Sequence, residues 1–213
     1  MASVAERLAS LRGRPLNYDP AEPHPPRLGW RVDDYCEVLP PEAPGPPADG
    51  GSFRIAQRLL REYRIADPRI VRAHYDPDAP LEGRDMLLEL RFLGLRTFVG
   101  CRVGDVVDEA RTVDGRPAQV WGWPYRTLEG HVEQGEMSWE VWKWLDTGEV
   151  QFRIHSYSRF AGTRNPFTAL GVRLFGQRQR RRYLTHACRR MARLTAQALR
   201  GQAAPVGARY PAR

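Results

Sequence analysis

Three side chains able to move protons lie within six residues of one another in this chain: His131, Glu133 and Glu136, with Tyr125 a short way upstream. A histidine and a carboxylic acid held within reach of a bound molecule can share a proton in general acid–base work. The same residues also make sense structurally. Gly130 and Gly135 can shape a turn, and the histidine and acids can satisfy the backbone amides of that turn. Catalysis would need a third group to orient the base, and a bare motif does not supply one, so the structural reading comes first.

Other chemistries have less to stand on. There is no HExxH, CxxC or His-x-His spacing, and His186 and Cys188 on a helix would point to different faces, so no metal is expected. No P-loop, GxGxxG or Gly-x-Ser-x-Gly elbow occurs, and no cofactor is expected. The three cysteines (Cys36, Cys101, Cys188) are odd in number and scattered, which fits a reducing cytoplasm better than a disulfide framework. No long apolar run or leader-like segment is present, so a cytoplasmic protein without a transmembrane segment is the expectation.

The net charge of +8 is unevenly placed. Lys143 is the only lysine, and residues 151–213 hold 14 arginines and no acid, so residues 1–150 carry −6. The run QRQRRR at 177–182, followed by Arg189, Arg190 and Arg193, could contact phosphate. Nucleic-acid binders usually add stacking aromatics or a helix free to enter a groove. This helix looks committed to covering a sheet. A solvated arginine face is therefore the first reading, an acidic partner or anionic headgroups the second, and nucleic acid is not the expected partner.

Strands and helices must position these groups. Residues Trp121 to Phe160 hold five of the six tryptophans and read as strands. Met137, Trp139 and Val141 face one way, Ser138, Glu140 and Trp142 the other. Val150, Phe152, Ile154, Ser156, Ser158 and Phe160 then share a face. Asp146-Thr147-Gly148 suits a reversal, and Asp114-Gly115 a hairpin between Val106–Val113 and Pro117–Tyr125. Further strands are predicted near Trp30–Leu39, Ile70–Tyr75, Met86–Phe92 and Leu95–Val103. Residues 1–14 form a short helical extension, 40–52 a Pro/Gly-rich loop, and Phe53–Tyr63 a core-facing helix. One long helix is predicted over about 167–199, started by Asn165-Pro166. The tail 201–213 is expected to fray.

That last helix has an apolar stripe of Leu170, Leu174, Leu184, Cys188, Met191 and Ala198, interrupted by Gln177 and Arg181. Either the middle of the helix leaves the core, or these two polar groups reach into a space between helix and sheet. In the second case Trp121, Trp123, Trp139, Phe152 and Ile154 supply apolar wall or core. Ser156 and Ser158 continue the polar end of the same row, and a buried polar group needs a partner.

The segment WGWPYRTLEGHVEQGE, then GEVQFRIHSYSR, then the Gln/Arg-rich entry to RRYL, resemble the domain-of-unknown-function family DUF1990. Its Tyr-x-Thr-Leu-x-Gly-His-x-Glu-x-Gly-Glu core matches Tyr125, Thr127, Leu128, Gly130, His131, Glu133, Gly135 and Glu136. A later Ser-Arg matches Ser158-Arg159, and a helical Gln matches Gln177 or Gln179. Members often carry two adjacent acids after the glycine, where this chain has Glu136-Met137, so a paired carboxylate is not carried over. The family is similar to the helix-grip class of START-type carriers and polyketide cyclases. The resemblance implies a curved antiparallel sheet wrapped on a C-terminal helix with a pocket between them.

The residues and the resemblance converge on one α+β domain over residues 15–200, with six or seven antiparallel strands on the long helix. The expected role is non-catalytic binding of a small hydrophobic molecule between sheet and helix. An enzyme using the His131 loop, or an interaction protein working through its basic helix, are the alternatives. No residue pattern fixes an oligomeric state.

Overall fold

The computed structural model describes residues 2–92, 95–162 and 166–201. A six-residue helix α1 (Val4–Ala9) opens the chain, closed by a capping box between Ser3 and Glu6. A short 3-10 turn (Pro26–Leu28) precedes β1 (Arg31–Leu39) and α2 (Ser52–Arg61). Then follow β2 (Val71–His74), β3 (Asp85–Phe92), β4 (Leu95–Val103), β5 (Val107–Val113), β6 (Arg116–Thr127), β7 (Glu133–Trp144) and β8 (Val150–Phe160). The last element is α3 (Pro166–Leu199).

Every strand pairing is antiparallel, in the order β1-β8-β7-β6-β4-β3-β2. β4 and β5 lie end to end along one edge of β6, and the Gly104 amide, donating to the Pro124 carbonyl at 2.8 Å, carries the ladder across the break. The edge strands β1 and β2 do not meet, so the sheet is curved and unclosed. All eight predicted strand segments form. The sheet therefore has eight strands where six or seven are expected, and β4 and β5 share one edge of β6.

Local chemistry explains the turns. Asp114 and Gly115 both have positive φ, 52° and 76°, as a two-residue hairpin demands. Gly148 (φ 77°) ends the β7–β8 turn where a Cβ would come 2.0 Å from the Glu42 carbonyl oxygen.

The alternation along the strands decides what is buried. Met86, Leu88, Val99, Cys101, Trp121, Trp123, Met137, Trp139, Val141, Phe152 and Ile154 form one core with Phe53, Leu59 and Leu60 of α2 and Leu184, Met191 and Leu194 of α3. This is the helix-grip arrangement, with α3 lying on the inner face against β1, β8 and α2. Two smaller clusters lie apart from it. Leu11, just after α1, buries against Leu87 and Leu128. Trp142 and Trp144 pack with Ala118 and Val120 beneath the guanidinium groups of Arg111, Arg116 and Arg153. Among the described residues no helix is long and apolar enough to cross a membrane.

Candidate functional site

One end of the inner face is polar. The β1–β8 register sets Asp33 opposite Ser156 and Arg31 opposite Ser158, while Glu133 begins β7 beside them. Across this end comes Arg180 of α3. Its Nε donates to Asp33 Oδ2 at 2.7 Å, Nη1 to Glu133 Oε2 at 2.8 Å, and Nη2 to the Ser156 hydroxyl at 2.7 Å. Arg31 adds a longer contact to the other Glu133 oxygen, 3.4 Å away. Burial alone would lower the Arg180 pKa, but Glu133 and Asp33 outweigh it and raise the pKa. Two arginines thus face two carboxylates, and the cluster cancels its own charge.

The inward arginine is Arg180, and Arg181 lies exposed. The expected line through Arg181 is corrected by the rotation of α3, whose buried residues include Tyr183, Leu184, Ala187, Cys188 and Met191. Four residues before Leu184 is Arg180. A stripe extrapolated over several turns drifts, because 3.6 residues per turn do not divide evenly into its spacing. The side chain of Gln177 lies outside the described residues, as do those of Leu170 and Leu174, residue Asn165 and the tail from 202. Arg178, Arg181, Arg182, Arg189 and Arg193 are all exposed along the outside of α3.

The proton-transfer candidates do not come together. Glu136 points to the outer face, where its carboxylate accepts from Arg126 Nε at 2.6 Å, while Glu133 is on the inner face with Arg180. His131 is half-buried, and its Nδ1 is 2.9 Å from the Glu133 amide nitrogen and 3.0 Å from the Glu133 carbonyl oxygen. Burial lowers the pKa of the imidazole to about 4. A neutral ring accepts from the amide, and it does not touch the Glu133 carboxylate as an acid–base pair would. Tyr125 is buried, its hydroxyl directed at the Met137 sulfur, 3.4 Å away. Burial raises its pKa well above the ordinary phenol value.

Below the polar end the inner face is aromatic. Trp123 and Trp139 are direct cross-strand neighbours. Around them stand Tyr63, Tyr125, Phe152 and Tyr183, with ring centroids 6.0–6.5 Å apart. Trp121, Ile154, Ser156 and Ser158 are likewise buried on this face. Three of its polar atoms have no hydrogen-bond partner among the described residues: Trp123 Nε1, Trp139 Nε1 and Ser158 Oγ. Asp33, Arg31, Arg180, Tyr63 and Tyr183 were not among the sequence candidates for this site. The core-facing spacing of Tyr63 and the i−4 relation of Arg180 to Leu184 were the available signals. Nothing in the sequence of β1 shows that Asp33 faces inward. No group of three His, Cys, Asp or Glu side chains able to hold a metal is found among the described residues.

A family model described as "Domain of unknown function (DUF1990)" matches residues 17–186. The chain belongs to this family. No curated protein sequence matches it. Among solved structures, Ara h 8.0201 is similar with a TM-score of 0.47 and 9% identity, over 79% of this chain and 99% of that one. A point mutant of Thalictrum flavum norcoclaurine synthase, in complex with a transition-state analogue, gives 0.46 and 10%, over 79% and 95%. Major latex-like protein 151 from Panax ginseng gives 0.44 and 10%, over 78% and 97%.

In this DUF1990 chain most of the 125–136 motif closes the β6–β7 hairpin. The Thr127 hydroxyl accepts from the Gly135 amide at 2.9 Å and donates to Asn17 Oδ1 at 2.6 Å. Asn17 Nδ2 donates to the Glu133 carbonyl at 2.9 Å. Leu128 is buried under Leu11. Gly130 and Gly135 both have positive φ. Only Glu133 turns its side chain toward the inner polar cluster.

Proposed function

We propose that this protein binds a small, largely apolar molecule between the sheet and α3, and that it does so without catalysing a reaction. The observation carrying this reading is the set of buried polar atoms on the inner face, Trp123 Nε1, Trp139 Nε1 and Ser158 Oγ, with no partner among the described residues. A buried donor left unpaired costs about 1–3 kcal/mol, so a core selected for packing alone would not keep several on one face. A bound molecule with hydrogen-bond acceptors relieves that cost. The surrounding aromatic rings supply apolar surface, and the neutralised Arg180 cluster closes the polar end. The split between Glu133 and Glu136, and the engagement of His131 with the Glu133 backbone, argue against the acid–base alternative.

Native mass spectrometry of protein purified from its own host tests the reading. A co-purifying small molecule, released on denaturation and lost in Trp139→Ala, is the expected result. Protein that is ligand-free from its host and shows no quenching of tryptophan fluorescence across a hydrophobic compound panel would sink it.

A further inference from the structure

Tyr63 sits just beyond the end of α2 with φ +53°, where glycine or asparagine is the usual residue. A bulky side chain with positive φ is strained, and strain of this kind persists where surrounding structure enforces it. Here the ring is held in the middle of the inner face. Its centroid is 6.0 Å from Trp123, 6.2 Å from Trp139 edge-on, and 6.5 Å from Tyr125. Its hydroxyl meets that of Tyr183 at 2.7 Å. Tyr63 therefore packs against both tryptophans without accepting a hydrogen bond from either. Indole is a donor only, so Trp123 and Trp139 can be satisfied only by an acceptor.

We infer that Tyr63 is a placeholder. Its ring occupies the position of the ligand's ring, and the ligand is an uncharged flat molecule whose carbonyl-type oxygen accepts from the Trp123 and Trp139 N–H groups. This rests on the reading of the interior as a ligand site. The ligand is uncharged because Arg31 and Arg180 are already matched by Asp33 and Glu133. The donors left over are neutral, and they would not compensate an anion for the water it lost. Release of the Tyr63 ring breaks no strand pairing, since it lies in the turns between α2 and β2.

The test compares two fluorescent naphthalenes: prodan, an uncharged naphthyl ketone, and 1-anilinonaphthalene-8-sulfonate, an anion. Each is titrated into wild type and Tyr63→Gly. Glycine accepts the +53° φ without strain, and Tyr63→Asn serves as a second opener if the glycine variant fails to fold. Opening the site should tighten prodan binding by at least about tenfold, with the sulfonate bound more weakly. Adding Trp123→Phe to the opened variant should return roughly tenfold of that gain, the share of one hydrogen bond. Tyr63→Phe, which keeps the ring in place, should bind like wild type.

Equal prodan affinity in wild type and opened variants overturns the placeholder role while leaving a ligand site in place. Sulfonate binding as tight as ketone binding, or indifference to Trp123→Phe, overturns the ligand class. Binding of neither compound by any variant overturns this inference, and a ligand-free protein from its own host would overturn the underlying reading separately.

Discussion

The Nζ of Lys143 lies 2.6 Å from Oε2 of Glu42, and the two side chains are 1% and 6% exposed. The only lysine in the chain is thus buried on the inner row of β7, at the opposite end from the Arg180 cluster, where it also donates to the Pro46 carbonyl at 2.9 Å. Glu42 accepts from the amides of Ala48 and Phe53, so one carboxylate ties the 40–51 loop, the start of α2 and the sheet together. Burial pushes the Glu42 pKa up, but the Ala48 amide, Lys143 and the Phe53 amide together hold it below the usual range.

Removing one partner of that pair strands a charge. Lys143→Met should cost about 3 kcal/mol in urea unfolding, the lower end for a broken buried pair. Glu42→Gln alone should also destabilise. In the double variant the losses should add to less than their sum by about 1–3 kcal/mol, as expected for groups in contact. Full additivity would mean the pair does not interact energetically.

Neighbouring arginines on α3 should behave very differently. Arg180→Leu leaves Asp33 and Glu133 facing each other without their cation and should cost roughly 3–5 kcal/mol. Arg181→Leu changes an exposed side chain and should stay within about 0.5 kcal/mol of wild type. A reversal of that order would place Arg181 at the interior after all.

The contrast between these two residues shows what was legible in the sequence. Strands announce themselves by period-two alternation, so Trp121, Trp123, Trp139, Phe152 and Ile154 could be put on one face and Trp142 on the other. The facing partners were harder. Arg180 and Arg181 are adjacent in a basic run, and which of them turns inward depends on helix rotation set by Tyr183 and Ala187 packing. Asp33 enters the cluster only through the β1–β8 register, a pairing of segments more than 100 residues apart. His131, Glu133 and Glu136 looked like a set because they are close in sequence. In a strand, however, positions 133 and 136 project to opposite faces.

Gly135 should be intolerant of any side chain. Its φ is +141°, and a Cβ there would stand 2.0 Å from the Tyr157 carbonyl oxygen on β8. Gly135→Ala should cost roughly 2–3 kcal/mol through strain and displacement of the ladder. Gly13 also has positive φ, +70°, but nothing lies within 4 Å of its would-be Cβ. Gly13→Ala should therefore cost only about 1 kcal/mol, the backbone share alone. Equal losses in chemical denaturation would remove the close approach of β7 to β8 as the reason for the glycine.

His131 should make stability depend on pH in a definite window. Its folded pKa is lowered by burial to about 4, against an ordinary value of 6.5. Between those values the unfolded chain binds the proton and the folded chain does not, so stability falls as pH drops from about 6.5 toward 4. The loss attributable to this residue is at most about 3 kcal/mol, and the half-buried setting keeps the measured value at or below that. His131→Asn supplies an acceptor for the Glu133 amide without a titrating ring. The difference in unfolding free energy between wild type and this variant, followed from pH 7.5 to 4.5, should slope in that window and level off above it. The imidazole proton shifts in an NMR titration should report a midpoint near 4. A midpoint at 6 or above would mean that the protonated Nδ1 donates to the Glu133 carbonyl instead, and it would return His131 to the list of groups able to transfer protons near neutral pH.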